Sequence, residues 1–273
     1  MRVATKPLAC TVPTLLAELA TRYPDQEFLV CGERHFTYRA FERETFALAK
    51  GLHAMGIRAG DKVAILMSNQ AEWLIADFAI LTLGATMVSL NTWATQRELE
   101  YMLDHSCAVA LVMVDEFAGT DYVANLSSLV GGGVLPDLKH IVRVDSSQRP
   151  LARSRTWSEV LALGEGASDE AVVAARDAVT ADDVAYLLYT SGSTSTPKGV
   201  LIQHFPLVRN MWDIGERLRL QVGDRLWLAV SLFWGLGCEN ALFAAMTHAA
   251  TIVLQKQFSA SEAIRLIDIE QCT

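Results

Sequence analysis

The feature that most constrains the fold is an alternation of helical patterns with short, continuously apolar runs. The runs at residues 62–67 (KVAILM) and 108–114 (AVALVMV) are apolar except for Lys62. Such runs are typical of strands that are buried on both faces of a parallel sheet. Helical periodicity occupies intervening segments such as 71–83 and 96–105. This alternation predicts an α/β protein in which helices flank mostly parallel sheets.

The alternation weakens in the middle of the chain and returns at residue 184. The triple glycine at residues 131–133 predicts a flexible surface loop. Residues 145–180 are rich in serine, arginine and acidic residues, which predicts a peripheral connection. We therefore expect an N-terminal α/β subdomain at residues 1–180 and a second α/β subdomain at residues 181–273.

Two helices are predicted near the end of the chain, at residues 239–247 and 259–269. Ser259 and Glu262 have the spacing of a capping box, in which each side chain bonds to the other residue's backbone N–H. We therefore expect Ser259 to cap the last helix through its side chain.

Charge and apolar content exclude several classes of protein. The formal net charge of −8 disfavours nucleic acid as the main partner, because phosphate backbones require a basic face. The longest apolar stretch, near residues 78–90, is too short and interrupted to span a bilayer. The first residues lack the apolar core of a signal peptide, and the five cysteines include no CxxC pair. These features predict a cytoplasmic protein with reduced thiols and no transmembrane segment.

A loop at residues 190–198, called the phosphate loop below, carries an ordered set of groups that suit a phosphate ligand. Its hydroxyls and backbone N–H groups can donate hydrogen bonds to phosphate oxygens. Gly192 allows close approach of the backbone, and Lys198 supplies a compact positive charge. Strand patterns flank the loop, and ligands of α/β proteins bind at such sheet ends. The candidate nucleotide-binding residues are Thr190, Ser191, Gly192, Ser193, Thr194, Ser195, Thr196, Pro197, Lys198 and Gly199.

A Walker A loop and a solvated turn are the alternative interpretations of the phosphate loop. A Walker A loop requires the order Gly-Lys-Ser/Thr, whereas here Pro197 precedes Lys198 and Gly199 follows it. This order disfavours a P-loop kinase. A solvated turn between two strands is the second alternative, although ordinary turns rarely combine these residues in this order.

The phosphate loop resembles that of the adenylate-forming superfamily, which includes acyl- and aryl-CoA synthetases, firefly luciferase and the adenylation domains of nonribosomal peptide synthetases. The family loop is Y-T-S-G-S-T-G-x-P-K-G-V, and residues 189–200 are YTSGSTSTPKGV, so Ser195 replaces a glycine. The resemblance runs from about residue 11 to the end of the chain and implies a layered α/β/α fold. Its other segments are Phe36-Thr37-Tyr38, Leu83-Gly84-Ala85, Leu90-Asn91 and Thr180-Ala181-Asp182-Asp183.

The resemblance implies a two-step reaction. ATP and a carboxylic acid give an acyl-adenylate and pyrophosphate, and the thiol of CoA then takes the acyl group. Mg²⁺ is implied between the phosphate oxygens, held in part by Thr190. Lys198 is the implied catalytic residue of this segment, near the phosphates, but without the adenylation role of the family's C-terminal lysine. The resemblance leaves a homodimer open.

The resemblance also implies an acid-binding pocket in the segment 231–237 (SLFWGLG), where Phe233 and Trp234 stand beside Gly235. Core packing of the two rings is the alternative. Many relatives have a histidine at the position of Trp234, and a bulky apolar group there favours an acyl or aryl acid over an amino acid. His204 matches a histidine common in the family and joins the candidate pocket, with a purely structural role as the alternative.

The chain has roughly half the family's usual length. On the resemblance, the segments for adenine and ribose and the mobile C-terminal lid domain are expected to be absent. The main hypothesis is a truncated N-terminal part of an AMP-forming acyl-CoA synthetase that is inactive alone. The alternatives are a non-catalytic nucleotide- or acyl-binding protein that retains the fold, and an amino-acid adenylation domain.

Replacing Ser195 by glycine is expected to improve the use of ATP by the complete gene product. If the family's glycine has a positive φ, serine there costs on the order of 1 kcal/mol, so the KM for ATP should fall about fivefold. Steady-state kinetics at saturating acid measure this, with the melting temperature as a control for folding. An unchanged or weaker KM and kcat in Ser195→Gly would count against the prediction.

Overall fold

The computed structural model describes residues 3–145, 149–190 and 197–273. Ten α-helices and thirteen strands form within these ranges. The helices are α1 (Val12–Arg22), α2 (Tyr38–Ala54), α3 (Ala71–Thr82), α4 (Gln96–His105), α5 (Tyr122–Gly131), α6 (Trp157–Glu165), α7 (Asp169–Ala178), α8 (His204–Leu218), α9 (Leu242–Thr247) and α10 (Ala260–Ile269). The strands are β1 (Glu27–Cys31), β2 (Arg34–Thr37), β3 (Lys62–Leu66), β4 (Thr86–Ser89), β5 (Ala110–Met113), β6 (Glu116–Phe117), β7 (Thr120–Asp121), β8 (His140–Arg143), β9 (Ser154–Thr156), β10 (Val184–Thr190), β11 (Lys198–Gln203), β12 (Arg225–Leu228) and β13 (Thr251–Leu254).

The larger sheet has seven strands in the order β11-β10-β4-β3-β5-β8-β9. All neighbouring pairs are parallel except β10 and β11, which form an antiparallel pair. Strands β4 and β5 are buried along their whole length, as continuous apolar runs require in a sheet covered on both faces. The predicted α/β fold with mostly parallel sheets is therefore confirmed.

The smaller sheet has four strands in the order β12-β13-β1-β2 and joins the two ends of the chain. Strand β1 pairs in parallel with β13, although more than 200 residues separate Leu29 from its partner Ile252. In the larger sheet, β10 likewise pairs with β4. Both sheets thus contain strands from each side of residue 180, and the division into subdomains at 1–180 and 181–273 stays a prediction.

A chain of aromatic rings fills the core between the two sheets. Phe28 of β1 contacts Phe78 of α3 at a centroid distance of 6.4 Å, and Phe78 contacts Phe243 of α9 at 5.9 Å. Phe243 in turn lies 6.3 Å from Tyr186 of β10. The Tyr186 hydroxyl donates a 2.8 Å hydrogen bond to the fully buried Asp77 carboxyl, whose pKa burial raises well above its usual value. Both sheets therefore share one core.

The peripheral connection predicted at residues 145–180 contains regular elements in its described part from residue 149 onward. Strand β9 adds the last parallel strand to the seven-stranded sheet, and α6 and α7 follow it. Thr156 begins α6 with a capping box completed by Glu159. Gly164 interrupts the apolar pattern of α6, which explains why its periodicity was weak in the sequence.

Local details differ from expectation at three places. Gly131 is the last residue of α5, and Gly132 and Gly133 follow it as an exposed turn, where a surface loop was predicted. The Ser259 side chain makes no capping bond and lies 3.0 Å from the Ser261 hydroxyl, while Glu262 pairs with Arg265. The helix expected at 239–247 begins instead as a π-helical turn, Leu236–Ala241, before α9.

Within the described ranges, none of the helices combines the length and the apolar character needed to cross a membrane.

Helices α2 and α6 cross at a pair of glycines, Gly51 and Gly164, and their close contact bears on the stability of the fold. A Cβ on Gly164 would lie 2.7 Å from the backbone nitrogen of Gly51, closer than real Cβ contacts. Gly164→Ala must push the helices apart and should lower the free energy of unfolding by about 1–3 kcal/mol. Denaturant unfolding measures this change.

Gly166→Ala is the matched control for this crossing. A Cβ on Gly166 would meet no atom within 4 Å, and the residue has a negative φ as the C-cap of α6. Its substitution should change stability by no more than about 0.5 kcal/mol. Equal losses in both variants would show that the close crossing is not the cause.

Candidate active site

The candidate site lies where strands of both sheets reach their carboxyl ends. Ser68 and Asn69 follow β3, Asn91 and Thr92 follow β4, and the phosphate loop follows β10. From the smaller sheet, the segment 229–234 follows β12. Ligands of open α/β sheets bind outside such carboxyl ends. The fold therefore directs these segments toward one region.

Asn69 ties the two sheets together at this edge. Its side-chain amide donates 3.0 Å hydrogen bonds to the carbonyl oxygens of Val230 and Gln255. Its Oδ1 accepts a 2.8 Å bond from the backbone N–H of Leu232. Asn69 is only 2% exposed, so these bonds replace the hydration that burial removes. The amide thereby fixes the start of the aromatic segment relative to the larger sheet.

The structure describes only the two ends of the phosphate loop. Thr190 and Lys198 are cross-strand partners in the β10–β11 pair, so the loop is closed at its base. Both side chains are exposed, and within the described ranges Lys198 takes part in no salt bridge. The remaining candidates lie outside the described residues: Ser191, Gly192, Ser193, Thr194, Ser195 and Thr196.

Gly199 has a packing role that the sequence did not predict. A Cβ at Gly199 would lie 3.3 Å from Leu187 and 3.6 Å from the His105 ring of α4. Only the contact with Leu187 is tight, whereas the distance to His105 is an ordinary van der Waals contact. Gly199 lies in the strand beyond the phosphate loop.

Phe233 and Trp234 form a wall between two cavities. Their ring centroids are 5.0 Å apart, and Phe233 also meets Trp93 edge-on at 5.3 Å. The Ser89 hydroxyl donates a 3.2 Å hydrogen bond to the Phe233 carbonyl. Phe233 is buried, whereas Trp234 is 37% exposed. The pair is thus anchored on one side and open to a ligand on the other.

The larger cavity has a volume of about 610 Å³, which is enough for a bulky organic acid. Indole and phenyl rings form much of its wall, and Lys256 is the charged residue among the lining residues. Besides the aromatic pair and Lys256, the lining residues are Ser68, Asn69, Thr92, Trp93, Phe117, Trp227, Leu228, Ala229, Val230, Ser231, Gln257 and Phe258.

The smaller cavity, of about 110 Å³, connects the aromatic pair with the phosphate loop. Thr190 and Pro197 from the loop ends line it together with Phe233 and Trp234. Its other lining residues are Ser89, Asn91, Ala94, Glu98, Met102 and Tyr189. Hydroxyl, amide and carboxylate oxygens of the kind present here are the ligands that Mg²⁺ prefers.

The donor set suits a shared cation better than a protein-only site. Within the described ranges, no group of three or more histidine, cysteine, aspartate or glutamate side chains is arranged to hold a metal. Mg²⁺ is typically bound by one or two protein groups together with water and substrate phosphates. Thr190 therefore fits the role of a partial ligand for a nucleotide-bound Mg²⁺.

Two predicted pocket residues do not line either cavity. His204 begins α8, is 1% exposed and accepts a 3.2 Å hydrogen bond at Nδ1 from the Val12 backbone. Burial lowers its pKa to about 4. Its position is compatible with the structural alternative, and its assignment to the acid-binding pocket stays a prediction. Gly235 lies behind the wall, where a Cβ would be 3.5 Å from Leu188 and the Glu239 carboxyl.

Glu239 lies in the π-helical turn behind the aromatic pair. Its Oε1 is buried and has no hydrogen-bond partner among the described residues. Burial raises its pKa to about 7. The residue lies in the first turn of the π-helical segment. Its pKa is raised because the surrounding apolar groups penalise its charged form.

Sequence reasoning missed Asn69, Ser89 and Trp93. Each of them ends or follows β3 or β4, and polar residues just after buried strands could have been selected on that ground. Trp227 and Phe258 could not have been selected from the sequence, because their place beside the larger cavity depends on the pairing of β1 with β13.

Comparison with known proteins agrees with this geometry. The family model described as AMP-binding enzyme matches residues 16–273. A Mycobacterium tuberculosis protein named 3-[(3aS,4S,7aS)-7a-methyl-1,5-dioxo-octahydro-1H-inden-4-yl]propanoyl:CoA ligase is 33% identical, over 96% of this chain and 50% of its own. Acyl-CoA ligase SID4 of Ajellomyces capsulatus is 31% identical, over 96% of this chain and 45% of its own.

Solved structures show the same similarity. The crystal structure of the anthranilate CoA ligase AuaEII in complex with anthranoyl-AMP superposes with a TM-score of 0.81 and 25% identity. The match covers 98% of this chain and 49% of that one. The chain spans about half the length of the curated relatives it matches. Since the family model covers nearly all of its residues, the chain belongs to the AMP-binding enzyme family.

Proposed function

We propose that this chain contributes the phosphate loop and the acid-binding wall of an AMP-forming acid–CoA ligase. The observation that carries the proposal is the smaller cavity, because the loop ends and the aromatic pair line it together. A carboxylate held against the rings would then lie beside the phosphates of a nucleotide held by the loop. Adenylation requires this proximity of carboxylate and α-phosphate.

The proposed first step is attack of a carboxylate oxygen on the α-phosphorus of ATP. The bond from the α-phosphorus to the bridging oxygen breaks, and pyrophosphate leaves with that electron pair. Lys198 and the backbone N–H groups of the phosphate loop stabilise the negative charge of the phosphates. Mg²⁺, shared with Thr190, supplies further charge compensation when bound. In the second step the thiol of CoA replaces AMP on the acyl carbon.

The proposed substrate is an acyl or aryl acid. The larger cavity is walled by Trp93, Trp227 and Phe258, and among the residues that the structure describes no carboxylate lines it. An ammonium group inside this cavity would therefore lack a partner of opposite charge. The M. tuberculosis CoA ligase and the anthranilate CoA ligase AuaEII are both named for ring-containing acids, which supports an acyl or aryl acid as the substrate. A cytoplasmic location and a homodimeric assembly stay predictions.

Acid-dependent exchange between ATP and pyrophosphate tests the proposal. The complete gene product, screened against straight-chain, branched and aromatic acids, should catalyse exchange with at least one of them and form the CoA thioester with the same acid. ATP binding without exchange for any acid would favour a non-catalytic nucleotide-binding protein. Labelled pyrophosphate incorporation measures the first step alone.

The 273-residue chain by itself is expected to give no exchange above background. The relatives that it matches are about twice as long, and on the resemblance the groups for adenine, ribose and the adenylation lysine lie in the other half. The same assay applied to the purified chain checks this, with the complete product as the positive control. Exchange at a comparable rate by the chain alone would overturn it.

Trp234→Ala tests the acid-binding wall in the complete gene product. Removal of the indole enlarges the space at the junction of the two cavities, so bulky acids should gain relative to short ones. We expect a change of about 10-fold or more in the ratio of their kcat/KM values, since one methylene group changes such a ratio by 10-fold or more. The KM for ATP should stay unchanged.

Leu236→Ala is the control for the acid-binding wall. Leu236 is two residues further on, is 60% exposed and lines neither cavity. Its substitution should leave the acid preference unchanged. A loss of activity in Trp234→Ala that is equal for all acids would argue that the indole serves packing alone.

A further inference from the structure

We propose that Tyr101 of α4 is a positioning residue for the phosphate loop and sets the affinity for ATP. The inference rests on the proposed function, because it assigns Tyr101 to the nucleotide step. It is carried by hydrogen bonds from side chains of α4 and β10 that join α4 to both ends of the loop.

The first bond is at the exit of the phosphate loop. The Tyr101 hydroxyl donates a 3.2 Å hydrogen bond to the carbonyl oxygen of Pro197. That carbonyl belongs to the same peptide unit as the backbone nitrogen of Lys198. Because a peptide unit is planar, the bond restrains the orientation of the backbone at Lys198. The proline ring also restricts the φ angle of Pro197 itself.

The second attachment is at the entry of the phosphate loop. The Tyr189 hydroxyl, next to Thr190, donates a 3.1 Å hydrogen bond to the Met102 carbonyl oxygen. The same hydroxyl lies 2.9 Å from Nδ1 of His105. A hydroxyl has one proton, so this arrangement requires the imidazole to donate from Nδ1. One turn of α4 thus holds the residue before Thr190 in place.

Ring packing joins the two attachments into one cluster. The rings of Tyr101 and His105 stack at 5.2 Å with an interplanar angle of 27°. The His105 ring meets the Tyr189 ring edge-on at 5.8 Å. Gly199 of β11 lies beside the His105 ring. Stacking therefore holds the Tyr101 ring in place, and the hydroxyl of that ring makes the hydrogen bond to the Pro197 carbonyl oxygen.

Helix α4 is itself firmly attached, so it can act as a support. Thr95 and Glu98 form a complete capping box at its start. Leu99, Met102 and Leu103 are buried in the core. Helix α4 also places Glu98 and Met102 in the wall of the smaller cavity. The same rigid element therefore carries the cavity wall and both loop attachments, as a pre-organised site requires.

Tyr101→Phe in the complete gene product tests this role. The variant keeps the ring and its stacking on His105 but loses the bond to Pro197. The dissociation constant for Mg·ATP, measured by titration calorimetry, should rise roughly 3- to 10-fold, as expected for one hydrogen bond. The KM for ATP in the exchange assay should rise by the same factor. The KM for the acid and the melting temperature should stay unchanged.

Tyr38→Phe is the matched control. Its hydroxyl donates a 2.9 Å bond to the Ala250 carbonyl in the core, far along the chain from the phosphate loop. Because Tyr38 is fully buried, this variant should lower the melting temperature without changing the dissociation constant for Mg·ATP. The two variants therefore separate a loss of stability from a loss of loop positioning.

The outcomes also separate this inference from the proposed function. Weaker Mg·ATP binding in Tyr101→Phe without exchange activity in the unmodified protein would support the positioning role and overturn the ligase proposal. Normal exchange with unchanged Mg·ATP binding in the variant would overturn the positioning role alone. A lowered melting temperature with unchanged ATP binding would show that Tyr101 is structural.

Discussion

The arrangement of the site depends on the three hydrogen bonds of the Asn69 side chain. Asn69 follows β3 in the larger sheet, and its partners follow β12 and β13 in the smaller one. A buried amide with unmet hydrogen bonds costs on the order of 1–3 kcal/mol for each group left unpaired. The two sheet edges are therefore restricted to the relative position in which both the amide nitrogen and Oδ1 of Asn69 are hydrogen-bonded. The aromatic wall and the phosphate loop come from different sheet edges, so their separation follows from that restriction.

The presentation of the aromatic pair has a second local cause. A Cβ on Gly237 would lie 2.7 Å from the Ser231 carbonyl oxygen, so the segment folds back on itself more tightly than any other residue allows. The π-helical turn that contains Gly237, Leu236–Ala241, is a rare geometry that often occurs at functional sites. Asn240 in this turn donates to the Gly235 carbonyl oxygen at 3.3 Å. Glycine and the wide turn together expose Trp234 while Phe233 stays buried.

Sequence patterns predicted the parts of the fold that depend on local order. Residues 108–114 formed β5 because a continuous apolar run is stable only between covered faces. The pairing of β1 with β13 across almost the whole chain was not predicted, because neither strand encodes its partner. Helix α6 was missed because Gly164, which α2 requires at their crossing, removes an apolar position from its pattern.

The same distinction holds for the site. The order of residues in the phosphate loop predicts a nucleotide site, since each group there suits phosphate by its own chemistry. Tyr101 gave no such signal, because a tyrosine in an amphipathic helix has many structural uses. The position of Asn69 after a strand marked it only as one of several polar candidates. Their role follows only from the carbonyl oxygens that the tertiary fold brings to them. For His204, the family likeness fixed a position in the chain and not a direction in space, and the residue lines neither of the two cavities.

Electrostatics explain how an acidic chain can receive a polyanion. The net charge is −8, so a nucleotide must meet a region where carboxylates are absent or neutralised. In the smaller cavity, Oε2 of Glu98 accepts bonds of 2.8 and 2.9 Å from the backbone and hydroxyl of Thr95. Behind the wall, burial raises the pKa of Glu239 to about 7. A phosphate anion brought nearby would disfavour the charged form of Glu239 further.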